Sequence, residues 1–326
     1  MKLSVLDYGQ IDEGKSAKQA LQESVKLAKI ADSLGYSRFW VAEHHNVNAF
    51  AISSPELLMM QIASQTQKIR VGSGGIMVLH YSDYKIAENI NTLEALYPNR
   101  IDLGMGNSLG TKKVHQALNS IHQKADYFQM LQDIKNWFQK NHSAINVQPT
   151  ISTKPQLWTL SNSTVTAEKT AELGLGYTFG VFPYIPKDPL LEGKKVSSVY
   201  YDHFQPSEFL KQPHLILAVF ICIADTDEKA QEYAKSLDIW MLGKNDFNEF
   251  NHYPSYETAT EYQKTDEDRK QISKNRKRMI VGSPEKVKEQ LTPLIEATQA
   301  DELLMIPLLP GIESRIRALE LLANLY

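Results

Sequence analysis

Cysteine is almost absent: Cys222 is the only one in 326 residues. A disulfide scaffold and a cysteine-rich metal site are therefore excluded. An excess of either charge is also missing. Lys and Arg number 35, Asp and Glu 38, for a net charge of −3. That balance leaves no electrostatic footprint for nucleic acid. Long apolar runs are lacking too. The longest, Leu215 to Ala224, is ten residues, too short to cross a bilayer as a helix. The opening MKLSVLDYGQ has no apolar stretch of the signal-peptide kind. What is present is ordinary for a globular chain. Hydrophobic residues make up 42% and charged residues 22%, which argues against disorder. The expectation is a cytoplasmic enzyme or binding protein, with no membrane or nucleic-acid partner.

Short apolar runs alternate with helical patterns along the whole chain. Eight runs read as strands: Leu3–Leu6, Arg38–Ala42, Ile69–Val78, Ile101–Met105, Gln156–Leu160, Tyr177–Phe182, Leu215–Ile223 and Glu302–Ile306. Between them lie helix signals. Ser16 and Gln19 form a capping box. Ala20, Leu21, Val25, Ala28 and Ala31 then share one helical face, and Gly35 stands where a C-cap glycine belongs. Ser54-Pro55-Glu56 and Ser283-Pro284-Glu285 each read as an N-cap, a first-turn proline and an acid. Asp225 to Glu228 resembles a capping box with Asp225 as the cap. Eight strands interleaved with helices predict an α/β fold, a (β/α)8 TIM barrel. A doubly wound open sheet is the runner-up. One domain over residues 1–326 is expected, with loop insertions near Pro183–Pro213 and Trp240–Met279 that lie over the site.

In such a barrel, function sits at the C-terminal ends of the strands. Glu43-His44-His45 follows the second strand. Two imidazoles beside a carboxylate offer a group that titrates near neutrality. No H-E-x-x-H spacing is present, and no metal is expected. The plainer account is a pair of structural histidines bonded to loop backbone. Gly72, Gly74 and Gly75 interrupt the third strand. Glycine there marks either close approach of a ligand or a packing constraint inside the barrel. Gly104-Met105-Gly106 opens like a dinucleotide loop, but Leu109 stands where the third glycine is needed. Ser161-Asn162-Ser163, with Thr166 in the following helix, reads either as an N-cap or as a phosphate-binding turn. The run Lys274 to Arg278 is closely preceded by Asp266, Glu267 and Asp268, so it reads as a solvated mixed-charge segment. Cys222, inside an apolar strand, reads as core. Met59 and Met60, on an apolar helix, also read as core.

Four stretches together resemble the luciferase-like flavin monooxygenases. They are Gly35 to His45, Val71 to Met77, Asn99 to Gly106 and Val281 to Val287. The likeness runs from Leu3 to about Asn324. It is closer to the single-chain luciferase-like oxidoreductases than to the light-emitting heterodimer. The resemblance implies a (β/α)8 barrel that uses reduced FMN and O2 to oxygenate a small organic substrate such as an aldehyde. It implies His44 as the catalytic base, with His45 beside it. It implies a non-proline cis peptide at Gly74-Gly75, against which the flavin ring rests near Met77. Ser161, Asn162, Ser163 and Thr166 match the turn that holds the FMN phosphate. Many members carry an arginine where this chain has Asn107, so the phosphate contact there lacks a charged, two-pronged donor. Lys112 or Lys113 is a candidate substitute. The resemblance also implies a separate flavin reductase and a homodimer. Two readings compete: a reductase of the same superfamily using the deazaflavin F420, and a flavin-binding protein without catalysis. An NAD enzyme is disfavoured by the failed glycine fingerprint.

Overall fold

The computed structural model describes residues 1–139 and 145–326. The strands are β1 (Lys2–Asp7), β2 (Arg38–Val41), β3 (Arg70–Ser73), β4 (Ile76–Met77), β5 (Ile101–Gly106), β6 (Gln156–Leu160), β7 (Gly176–Val181), β8 (Leu215–Ile223), β9 (Ile280–Gly282) and β10 (Glu302–Ile306). All their pairings are parallel, and β10 pairs with both β1 and β8, which closes the sheet into a ring. β3 and β4 are two halves of one stave, so eight staves form the barrel. All eight predicted strands are present. The third is broken at Gly74-Gly75, and β9 is a short extra strand on β8. Every residue of β8 is buried, because its inner face fills the barrel and its outer face is covered by helices.

The helices are α1 (Ala17–Ser33), α2 (Pro55–Gln65), α3 (Asp83–Leu96), α4 (Lys112–Ala117), α5 (Tyr127–Gln139), α6 (Thr164–Glu172), α7 (Pro189–His203), α8 (Asp227–Trp240), α9 (Lys244–Phe247), α10 (Tyr256–Glu261), α11 (Asp266–Arg276), α12 (Pro284–Thr298) and α13 (Ile312–Ala323). Among the described residues no helix is long and apolar enough to cross a membrane. The Ser16–Gln19 capping box forms as the sequence predicts. The cap of α8 differs. Thr226, not Asp225, accepts from the Lys229 N–H, while Asp225 faces outward to Arg317. A carboxylate with a guanidinium in reach leaves the cap to its hydroxyl neighbour. Pro183–Pro213 also differs from a plain insertion, since it contains α7, the crossover helix between β7 and β8. Residues 241–279 hold two helices, α10 and α11, and the single left-handed turn labelled α9. Their basic run sits on and just after α11, where Arg276 pairs with Asp238.

The lower end of the barrel is plugged by charge. The Arg38 guanidinium bonds Asp102 at 2.7 Å, Glu302 at 2.8 Å and Gln156 at 2.9 Å. Arg70 and the Trp40 indole N–H reach the same Asp102, and Ser4 and His214 reach Glu302. Burial alone would raise the Glu302 carboxyl. Arg38, His214 and Ser4 outweigh it and hold the group at about 2.

Candidate active site

The opposite rim gathers the strand ends into a cleft of about 500 Å3. Six of the ten residues singled out by sequence line it: His44, His45, Gly74, Gly75, Met77 and Asn107. The other four lie at the turn from β6 into α6, which meets the cleft through Leu160. That turn is tied down internally. The Ser161 hydroxyl accepts from Ser163 N–H, and the Tyr177 hydroxyl donates to the Ser161 carbonyl at 2.6 Å. The Asn162 side-chain oxygen accepts from Gly180 N–H at 3.1 Å. Ser163 is the N-cap of α6, but its hydroxyl makes no capping bond. Thr166 is buried inside α6, 3% exposed, and is not part of the cleft wall.

The floor is bare backbone. The Gly74-Gly75 peptide is cis. A Cβ on Gly74 would stand 2.6 Å from Leu6 Cδ1, and one on Gly75 would stand 2.7 Å from the Gly104 carbonyl oxygen. The packing account of these glycines therefore holds inside the barrel wall, while their backbone also faces the cleft. At the same break the Ser73 hydroxyl donates to the Gly104 carbonyl and accepts the Gly104 N–H, replacing ladder bonds that the kink removes.

The two imidazoles occupy opposite environments. The His44 ring centroid is 4.6 Å from that of Tyr8 and 4.9 Å from that of Phe50. Burial outweighs the Ala42 carbonyl and the Glu43 charge and pushes its pKa down to about 4. The ring is neutral at pH 7, and its buried Nδ1 has no hydrogen-bond partner among the described residues. His45 instead holds Nε2 2.6 Å from Glu43 Oε1. The same carboxylate accepts the Tyr81 hydroxyl at 2.6 Å and the Met77 N–H at 2.8 Å. Burial and Glu43 both raise the Tyr81 phenol. Sequence reasoning noticed Glu43 only as a neighbour of the histidines and missed Tyr81, which no local pattern places beside it.

Aromatic side chains close the remaining walls: Tyr8, Phe182, Tyr184 and Phe247. The Phe182 and Tyr184 rings stack with centroids 5.7 Å apart. Phe247 comes from a left-handed turn in which Gly243, Asn245, Asp246 and Phe247 have φ of +64°, +51°, +53° and +64°. Three consecutive non-glycine residues in that region cost about 1–3 kcal/mol each. External bonds hold the turn. Asn248 donates to the Asn46 carbonyl at 2.7 Å and accepts the Asn48 N–H at 2.8 Å. Lys244 reaches Asp268 and Tyr262. Among the described residues no Lys or Arg lines the cleft. Lys112 and Lys113 are exposed on the first turn of α4, whose cap Thr111 does line it. Among the described residues no cluster of three His, Cys, Asp or Glu could hold a metal.

Comparison with known proteins agrees with this architecture. The chain is 34% identical over 303 residues to N-acetyl-S-alkylcysteine monooxygenase of Bacillus subtilis, covering 90% of this chain and 89% of that protein. The solved structure of apo-MsnO8 is similar with a TM-score of 0.88 at 32% identity, covering 99% of this chain and 98% of that one. At 18% identity the fold alone is shared with the oxygenating constituent of 3,6-diketocamphane monooxygenase from a Pseudomonas putida plasmid, a type II Baeyer-Villiger monooxygenase solved with FMN. Its TM-score is 0.72, covering 99% of this chain and 97% of that one. The family model for luciferase-like monooxygenases matches residues 1–301, and with the closed parallel barrel and its strand-end cleft this establishes that the chain belongs to the luciferase-like monooxygenase family.

Proposed function

We propose that the protein is an FMN-dependent monooxygenase of the two-component type. Reduced FMN comes from a separate flavin reductase, and one oxygen atom of O2 enters a small organic substrate such as an aldehyde. The carrying observation is the bare-backbone floor at Gly74-Gly75 facing two imidazoles in an aromatic cleft. A flat ring on that floor meets no side chain from residues 74 and 75. The buried His44 Nδ1 has no hydrogen-bond partner among the described residues, which leaves it open to one from a bound group. Both features fit an isoalloxazine. Reduced flavin, when bound, supplies the electrons that activate O2.

The remaining work falls to this chain's residues. Gly74, Gly75 and Met77 pack the ring. Ser161, Asn162 and Ser163 hold the phosphate, with Asn107 and the Lys112–Lys113 pair nearby, and Thr166 supports their turn from within. Neutral His44 offers Nδ1 to the bound ring, and His45 stands beside it. The aromatic walls exclude water. A homodimer fits a separate observation. Leu57 is 67% exposed and Met60 43%, so Met60, unlike Met59, is not core. Leu57 separates a groove of about 780 Å3 between α1 and α2 from one of about 360 Å3 between α2 and α3. Apolar side chains exposed beside these grooves support the homodimer reading.

The test is titration with oxidised FMN, photoreduced FMN and F420, followed by turnover with reduced FMN, 18O2 and a panel of aldehydes. Preferential binding of reduced FMN and one labelled oxygen per product are expected. Preference for F420 with hydride transfer would replace the reading by a reductase. Flavin binding with no product from any aldehyde would move it to a binding protein.

A further inference from the structure

Glu43 lines the cleft with both carboxylate oxygens engaged by donors from separate parts of the fold. Oε1 takes His45 Nε2 and the Tyr81 hydroxyl, each at 2.6 Å, and Oε2 takes the Met77 N–H at 2.8 Å. Its side chain is fully buried. His45 lies on the loop after β2. Met77 ends β4, the strand that resumes after Gly74-Gly75. Tyr81 follows the short turn beyond it. One carboxylate thus ties the imidazole loop to the strand that continues the floor.

We infer that Glu43 is a positioning residue for oxygenation, acting through His45 and through the Met77 backbone. This rests on the reading that flavin lies on the glycine floor. Two physical arguments support it. A carboxylate only accepts, so the ring nitrogen facing it carries a proton. Nε2 is therefore the donor, and His45 Nδ1 is the nitrogen left for a ligand. Bonds to a carboxylate are also the strong ones. Holding the Met77 N–H with one fixes the backbone two residues past the floor, and with it the separation of floor and imidazole. Misplacement on the ångström scale at a reacting centre costs about a hundredfold in rate.

The test uses Glu43→Gln and Tyr81→Phe in the full chain. Glutamine keeps the size but offers one acceptor oxygen to three donors. Three readouts are made. Nitrogen-15 NMR of His45 reports which ring nitrogen is protonated. Amide exchange at Met77 reports the backbone tie. The split of consumed reduced FMN between oxygenated product and hydrogen peroxide reports positioning. In Glu43→Gln we expect a mixed His45 tautomer, Met77 exchange at least tenfold faster, reduced-FMN affinity within about threefold, and product yield at least tenfold lower with peroxide making up the loss. Tyr81→Phe leaves the carboxylate its other two donors, so exchange at Met77 stays slow and product yield falls by less. An unchanged tautomer and unchanged Met77 exchange in Glu43→Gln overturn the inference. So does unchanged product yield when both have moved. If Glu43→Gln does not fold, Tyr81→Phe decides: a product yield equal to that of the parent protein overturns the inference, and a reduced yield at parental stability supports it. Should the parent protein bind no flavin, the proposed function fails, while the tautomer and exchange readouts still decide whether Glu43 positions His45 and Met77.

Discussion

At the scale of single residues, the two adjacent histidines show how environment divides one residue type into two roles. His44 sits among aromatic rings and is neutral; His45 is bonded to a carboxylate. The His44 proton binds near pH 4 in the folded protein and near 6.5 in the unfolded chain. The unfolded state therefore holds more protons between those values, so stability rises with pH there. His44 contributes fully above pH 6.5, and that contribution, at most about 3 kcal/mol, is lost as pH falls to about 4. Chemical denaturation of the parent and His44→Gln from pH 7 to 4 should show a shallower loss in the variant. For activity, His44→Ala should lower oxygenation with reduced FMN about 100-fold or more, and an unchanged rate would remove His44 from the site. At Asn107, arginine restores a two-pronged cation. Asn107→Arg should tighten FMN binding roughly 10- to 150-fold, measured by flavin fluorescence titration, with oxidised riboflavin, which lacks the phosphate, unaffected.

At the scale of elements, the break between β3 and β4 shapes the site. The sequence shows three glycines in an apolar run and so marks the place. It does not show that Gly104 on the neighbouring strand is required by the same break. A Cβ there would stand 2.1 Å from the Ser73 carbonyl oxygen, and backbone cannot yield as a side chain would. Gly104→Ala should therefore cost about 3 kcal/mol, at the top of the overpacking range, read as a fall in the denaturation midpoint. The left-handed turn at Gly243–Phe247 was not legible at all. Asn245, Asp246 and Phe247 take φ values that favour glycine only because bonds from Asn248 and Lys244 hold them. The groups they bond, Asn46 on the loop after β2 and Asp268 on α11, are beyond the reach of local pattern. Asn248→Ala should loosen the turn, visible as faster amide exchange at residues 245–247.

At the scale of the whole molecule, the barrel is held from the inside at one end and left open for chemistry at the other. Arg38 neutralises two buried carboxylates, Asp102 and Glu302. Arg38→Met strips the guanidinium from Glu302 and leaves Asp102 with Arg70 as its cation, and should cost about 3–5 kcal/mol, measured by denaturant unfolding. Glu302, held at about 2 against an ordinary 4.5, contributes stability that is present above pH 4.5 and disappears as pH falls towards 2. It acts in a more acid range than His44, so acid unfolding should steepen in two successive ranges.

The sequence by itself determined the eight staves, their order, the first helix cap and six of the cleft residues, because each follows from local period, turn chemistry or a contiguous motif. Only the tertiary structure decided the rest. Closure of β10 onto both β1 and β8 joins chain ends some 300 residues apart. Glu43 became the tie between His45, Met77 and Tyr81 because donors 2, 34 and 38 residues away converge on one buried carboxylate. Thr166 turned inward because the face of α6 that it shares with Ala167 and Thr170 packs on the barrel. In each case the deciding contact spans elements that no sequence window contains together.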